Sequence, residues 1–311
     1  MTRTIGAMAM EHVAVGLVED NQIVGAKRVF PDTESEYDSL AEMPAEQIAQ
    51  GIAAQVQAAA EGGEVAAIGV GFPGIISANV VEDSPNLQQM KGQRLGEQLM
   101  SVLGGKGINA PVFLVNDADA IAAGIAATRG HLDSFIRVWA LGSGVGFGRY
   151  PRAEGVWENG HTVVSLDPKE TFCRCGGVGH LEGIMGRRAT RLRFLDLEPE
   201  EVFAHAREGD ERCASFVRMW HRALAAATAN SVHAGGPGKF FVSGPYSKFV
   251  QTALLDIYLH EMVKMSPLQG SSFEIVPTSD ETAIIGAAVS AAHSAAQSRA
   301  KAGEFGETHG G

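Results

Sequence analysis

Two cysteines, two histidines and two flanking carboxylates gather in one short stretch. It reads Glu158-Asn159-Gly160-His161, then Cys173-Arg174-Cys175-Gly176-Gly177-Val178-Gly179-His180-Leu181-Glu182. Thiolates and imidazoles at this spacing suit a tetrahedral zinc ion, with His161, Cys173, Cys175 and His180 as the ligand set. The glycines between Cys175 and His180 let the backbone turn back so that the ligands converge. Four protein ligands leave no open coordination position, which makes such a zinc structural. Cys-x-Cys is tighter than the usual zinc spacing, and the alternative is a glycine-rich loop holding two incidental cysteines.

Three further places carry chemistry. Asn116-Asp117-Ala118-Asp119-Ala120 follows an apolar run at 111–115 and leads into an alanine-rich stretch. Asn116 or Asp117 reads as a helix N-cap. A carboxylate at a strand end can equally serve as general base toward a bound alcohol. Gly142-Ser143-Gly144-Val145-Gly146-Phe147-Gly148 reads as a glycine-rich hairpin turn. It is not a Walker loop, since no Gly-Lys-Ser/Thr follows. Gly71-Phe72-Pro73-Gly74 and Ser84-Pro85-Asn86-Leu87 read as turns.

Taken together, these motifs resemble the ROK family of sugar kinases and repressors. The match is Glu-x-Gly-His followed by Cys-x-Cys-Gly-x-x-Gly and Glu182, with His180 standing where the family has a third cysteine. Zinc accepts either ligand. The resemblance runs from Gly6 to about His293 and lacks the N-terminal helix-turn-helix of the repressors. It implies that Glu158, His161 and Glu182 touch sugar hydroxyls, His161 with one ring nitrogen on zinc and the other on the sugar. It implies sugar contacts from Gly74, Asn86, Asn116 and Asp117, with Asp117 as the catalytic base. Gly142, Ser143, Gly144 and Gly146 would form the second phosphate loop, and Gly244 would lie at the adenosine site. The activity implied is ATP-dependent phosphorylation of a hexose or N-acyl hexosamine, with Mg-ATP and structural zinc. The fold implied is α/β, the two-lobed actin-like ATPase fold with a cleft between lobes. Residues 1–116 plus 291–311 would make the small lobe and residues 117–290 the large one. A homodimer is the expected assembly.

Two departures from the family pattern bear on the nucleotide. The first hairpin of such kinases carries Asp-x-Gly-x-Thr, whose glycine and threonine meet phosphate and whose aspartate reaches Mg²⁺. This chain has Met8-Ala9-Met10-Glu11-His12 there. Ser243-Gly244-Pro245 stands where the family has three glycines, and Pro245 removes a backbone donor. These changes leave two rivals open. One is a sugar-binding sensor or pseudokinase. The other is a nucleotide-independent enzyme using the same Asp/Glu/His cluster.

The elements that must position these residues follow from periodicity. Segments 4–9, 13–18 and 22–29 read as strands, with Glu19-Asp20-Asn21 turning between the last two. Met43, Ile48, Ile52 and Val56 recur at helical spacing, and 65–70 is another strand. Three strands, a helix and a strand begin an α/β fold. Phe216, Trp220, Leu224 and Ala227 form one stripe of a long helix over 212–232, and Cys213 reads as a buried free thiol. The arginine-rich run 186–193 reads as a solvated helix face. Thr278-Ser279-Asp280-Glu281 caps a last helix to about residue 296, followed by a frayed tail from Gln297.

Composition bounds the rest. Apolar residues make up 45% of the chain, enough for a real core. A net charge of −11 without a basic stripe disfavours nucleic acid as a partner. No apolar run approaches the length of a membrane span, and the first ten residues lack a signal-peptide pattern. Three cysteines, two of them in the metal motif, point to a reducing, cytoplasmic compartment.

Overall fold

The structure is a computed structural model. It describes residues 3–31, 39–152, 155 and 157–307, with side chains to residue 300. The strands are β1 (Thr4–Ala9), β2 (Val13–Glu19), β3 (Gln22–Phe30), β4 (Ala67–Phe72), β5 (Ile75–Ser77), β6 (Val80–Asp83), β7 (Val112–Asn116), β8 (Ile136–Leu141), β9 (Val145–Tyr150), β10 (Lys239–Ser243) and β11 (Ser272–Ile275). The helices are α1 (Ala45–Ala60), α2 (Leu95–Gly104), α3 (Asp117–Thr128), α4 (Leu181–Met185), α5 (Arg187–Arg193), α6 (Pro199–Glu208), α7 (Glu211–Gly235), α8 (Thr252–Met262) and α9 (Asp280–Glu307). They divide into two compact units. The first is Met1–Ile136, Gly148–Val156 and Ser279–Gly311; the second is Arg137–Phe147 and Trp157–Thr278.

The first unit is built on a five-stranded sheet ordered β3-β2-β1-β4-β7. β1 pairs antiparallel with β2 and parallel with β4, which pairs parallel with β7. Strand side chains alternate between faces. Ile5, Ala7, Val13 and Val15 therefore join Ile48 and Ile52 of α1 and Leu99 of α2 in one core cluster. Met8, Ala14 and Val18 meet Ile284, Ala287 and Ala288 of α9 in another. Helix α9 lies so close to the sheet that a Cβ on Gly6 or Gly69 would strike its backbone carbonyls at Ile284 and Ala287. Helices α3 and α9 approach equally closely, Gly286 lying on the Ala120 carbonyl.

The second unit holds the four-stranded sheet β11-β10-β8-β9, with β10 parallel to both of its neighbours, β8 and β11. Its core gathers Trp139, Trp220, Phe203, Phe240 and Tyr246. Both indoles place their N–H, Trp139 on Thr228 Oγ1 at 3.0 Å and Trp220 on the Met185 carbonyl at 3.2 Å. The stripe of α7 is as the spacing predicts, with Phe216, Trp220, Leu224 and Ala227 all buried and Cys213 beside them.

Several expectations need amendment. Helix α3, expected at the start of the larger lobe, packs on α9 in the first unit, and all of α9 belongs there too. An alanine-rich helix fits where two backbones come this close. The tail from Gln297, expected to fray, is helical to Glu307, while residues 308–311 lie outside the described residues. The β5–β6 hairpin and α2 were not legible as elements. The hairpin turns on Ala78 and Asn79, both at positive φ (47° and 61°), and alanine gives no turn signal. The arginine run is only partly solvated. Arg193 forms a bidentate pair with Glu170, at 3.1 and 2.5 Å.

Candidate active site and metal cluster

In the first unit the site is organised by the junction of β7 and α3. Asn116 is the N-cap of α3. Its Oδ1 accepts from the backbone N–H of Ala118 at 2.9 Å and of Asp119 at 3.3 Å. Its Nδ2 donates to the Gly74 carbonyl at 3.0 Å. Gly74 has φ 105°, and a Cβ there would strike the Asp83 carbonyl. The glycine is thus required for the 72–75 turn to lie on the start of the 84–87 turn. Buried Ser84 holds that second turn by accepting from Leu87 N at 3.3 Å, and Asn86 stands within it. The structure thus links Asn116, Gly74 and the Asn86 turn into one contiguous surface beside Asp117.

Asp117 is the first residue of α3. Its Oδ1 accepts from the Ala118 N–H at 2.9 Å. Desolvation pushes its carboxyl up to about 6, aided by the nearby Asp119 and opposed by the backbone hydrogen bonds. The N-cap reading of the pair is met by Asn116, and Asp117 begins the helix it caps. The amide caps the helix, and the carboxylate is poised near neutrality.

The turn between β1 and β2 carries an ion-pair network. Met8 is only 2% exposed, and its sulfur occupies the space left by Gly71. His12 Nε2 lies 3.3 Å from Asp280 Oδ2, and Lys27 Nζ donates to the same oxygen at 2.8 Å. The hydrogen bond to Asp280 raises the His12 imidazole. His12 and Lys27 in turn hold the Asp280 carboxyl down at about 2.

In the second unit the four expected metal ligands converge. Their donor atoms all lie within 4.8 Å of one another. His161 Nδ1 and His180 Nδ1 are 3.3 Å apart, and Cys173 Sγ lies 3.4 Å from both His161 Nδ1 and Cys175 Sγ. Cys175 Sγ is 3.2 Å from His180 Nδ1. The edges of a tetrahedron drawn with ordinary zinc bond lengths are about 3.3–3.8 Å, so these four of the six donor pairs come near tetrahedral spacing and the cluster could hold a metal ion. Burial and the adjacent His161 lower the His180 pKa, which favours the neutral imidazole a ligand must be. Both histidines turn Nδ1 to the cluster, which leaves Nε2 of His161 outside it.

Glu182 connects this cluster to the glycine loop. Its Oε2 accepts from Val145 N at 3.2 Å, and its Oε1 lies 3.5 Å from Cys173 Sγ. Gly160 packs on the Val145 carbonyl, which brings the turn of residues 158–161 against the same strand. Glu158, His161 and Glu182 are therefore gathered around the start of β9. The loop itself is folded tightly. Gly142 N donates to the Gly144 carbonyl at 3.0 Å, and Arg187 N donates to the Gly142 carbonyl at 3.0 Å. Gly244, at φ 92°, rests on the Leu141 backbone, so its turn lies beside Gly142, Ser143, Gly144 and Gly146.

Sequence reasoning did not find the braces of the site. Glu170 is one: its carbonyl accepts from Gly179 N at 2.8 Å while its carboxylate grips Arg193. Ser84 and Asp119 are others, and Asp119 accepts from Arg149 N at 2.8 Å. Glu170 and Asp119 act on partners distant in sequence, so no local motif announces them, whereas Ser84 acts within its own turn.

These features define a ROK protein, and the chain belongs to the ROK family, whose model matches residues 9–293. The fold is the α/β, two-lobed actin-like ATPase fold. Among relatives, it is 29% identical to a glucokinase of Thermotoga maritima over 310 residues, covering 88% of this chain and 92% of that one. A glucokinase of Pyrobaculum calidifontis is 28% identical over 250 residues, covering 76% and 81%. Among solved structures, the ROK hexokinase from Thermus thermophilus superposes with a TM-score of 0.74 at 21% identity, covering 95% of this chain and 100% of that one. A ROK glucokinase from Streptomyces griseus, solved with glucose and AMPPNP, gives 0.66 at 23% identity, covering 94% and 99%. No helix among the described residues is long and apolar enough to cross a membrane.

Proposed function

We propose that this chain phosphorylates a hydroxyl of a hexose or N-acyl hexosamine, with ATP as the donor. The observation that carries this reading is Asp117, a carboxylate fixed at the N-terminus of α3 with its pKa pushed up to about 6, in a chain similar to glucokinases over most of its length. A base of that pKa is ionised at neutral pH yet basic enough to take a proton in the transition state. As the sugar oxygen bonds to the γ-phosphorus and the bond to ADP breaks, the hydroxyl proton passes to Asp117. Phosphoryl transfer asks mainly for positioning and charge stabilisation. Asn116, together with Gly74, Asn86, Glu158, His161 and Glu182, would place the sugar. Gly142, Ser143, Gly144, Gly146 and Gly244 would receive the nucleotide.

The cluster of His161, Cys173, Cys175 and His180 fits zinc. Its role would be to fix the 158–161 turn so that Nε2 of His161 faces the sugar. Mg²⁺ fares differently at the β1–β2 turn. The cation takes oxygen ligands, and the buried Met8 thioether supplies none where the family has its aspartate. That turn favours a second reading, a sugar-binding protein that does not turn over. Separate calorimetric titrations with Mg-ATP and with a panel of hexoses, followed by a coupled ADP-release assay, test the two. Sugar-dependent ADP release supports the kinase. Sugar binding without ATP binding at millimolar concentration supports the second reading.

A further inference from the structure

The first unit contains a cavity of about 430 Å³ that the catalytic reading does not use. One wall is the outer edge of β7, at residues 113–115, and a second is the turn after β5. The third is the segment at the end of β9, with Arg149 and Arg152. The fourth is the face of α9 that presents His293, Ser294 and Gln297. Asp119 completes the lining. Among the described residues that line it are two guanidinium groups and one carboxylate, in a chain whose total charge is −11.

The polar groups around it are pre-arranged. His293 Nε2 and Gln297 Nε2 are 2.8 Å apart, so the two α9 side chains hold each other in place. Strand β7 is the edge of its sheet. Asn79 caps part of that edge, donating to the Val112 carbonyl at 2.9 Å and accepting from Leu114 N at 2.8 Å. In a strand the N–H and C=O of one residue point the same way. The Leu114 carbonyl therefore faces outward as well, offering an acceptor to a ligand hydroxyl. Desolvation lowers the Arg149 guanidinium pKa, which an incoming anion would reverse.

We propose that this cavity binds the phosphate group of a small anion, gripped by Arg149 and Arg152, with any attached hydroxyls met by α9 and the β7 edge. Guanidinium forks match phosphate oxygens in pairs, and the volume suits a small molecule. The site is placed to affect Asp117. Arg149 N holds Asp119, and Asp119 N shares the Asn116 cap that anchors the first turn of α3. Occupancy that pulls on Arg149 would shift that turn and with it the carboxylate two residues away.

The test uses the full chain with two probes, inorganic phosphate and glycerol 3-phosphate. Neither resembles a hexose, so the result does not depend on the kinase assignment. Calorimetry should detect at least one of them binding below about 1 mM. Arg152→Ala should weaken that binding at least tenfold while the melting temperature stays unchanged. Ser294→Leu, which fills the cavity without touching its charges, should weaken it too. Equal affinity for the two probes marks free phosphate as the source. A tenfold preference for the ester shows that α9 and the β7 edge read the organic part. Binding that survives both variants, or no binding by either probe at 10 mM, overturns the proposal.

Discussion

Asp117 and its neighbour Asn116 divide two tasks that one sequence position could not perform. The amide accepts from the Ala118 and Asp119 N–H groups of α3, and the carboxylate adds only a second contact to Ala118. Asp117→Asn should therefore leave the helix and sugar binding intact and lower kcat by about 10²–10⁴-fold, the usual worth of a positioned base. The raised pKa sets the sign of two pH effects. The base must be ionised to work, so kcat/KM should fall as pH drops below about 6, and that limb should be absent in the variant's residual rate. A carboxyl with a raised folded pKa favours the fold below its unfolded value and loses that benefit as pH rises through about 6. The variant should accordingly melt higher than the parent at about pH 8. At the metal cluster, Cys175→Ala should reduce zinc, measured by elemental analysis, from one per chain to a trace. It should weaken sugar binding by loosening His161. Sugar affinity unchanged in the metal-free variant would separate the cluster from the site.

Elements rather than single contacts decide what the β1–β2 turn can hold. His12, Lys27 and Asp280 tie the turn to β3 and to the first turn of α9. The charged groups facing His12 are Asp280, Glu11 and Lys27. Asp280 is depressed to about 2, so its stabilisation is complete above its unfolded value near 4 and fades as pH falls toward 2. His12 is raised, so its stabilisation is complete below about 6.5 and fades as pH climbs past its folded value. The pair contributes most between about pH 4 and 6.5. The difference in melting temperature between the parent and His12→Gln should peak in that window and shrink at alkaline pH. A difference that stays constant across pH would deny the ion pair its role. Helix α9 carries a second test. Gly286→Ala would drive a Cβ into the Ala120 carbonyl, and the overpacking should cost about 1–3 kcal/mol in urea unfolding.

At the scale of the whole molecule, the loss of loop contacts separates nucleotide from sugar. Each missing charge-assisted hydrogen bond is worth about 1.5–3 kcal/mol, so two or three together weaken ATP by more than about a hundredfold. Sugar affinity should stay in the ordinary range, since none of Asn116, His161 or Glu182 depends on the turn at Met8. Mg-ATP bound tightly in calorimetry would show that other groups had taken over the phosphates. The Cys/His cluster and the Asn116-Asp117 junction were legible because they cluster in sequence and each residue type has few uses. The alternating strands and the stripe of α7 were legible from period alone. The braces were not, because Glu170 with Arg193, and His12 with Asp280, meet only after the chain has folded. Helix α3 was assigned to the wrong unit for a related reason. Alanine on every side marks a buried helix without naming its neighbour.

The chain changes units at residues 136, 147, 156 and 278. The sheet of the first unit is thus made before the bulk of the second unit, and the helix that covers one face, α9, after it. Ribosomes add on the order of ten residues per second, so Gly6 and Gly69 face water for roughly twenty to thirty seconds before their cover emerges. During that interval the second unit, contiguous from residue 157, can complete itself first. A nascent chain halted before residue 279 should expose one apolar sheet face to chaperones and proteases, and release of the full chain should remove it. The order of synthesis makes the last helix the step that commits the first unit to its fold.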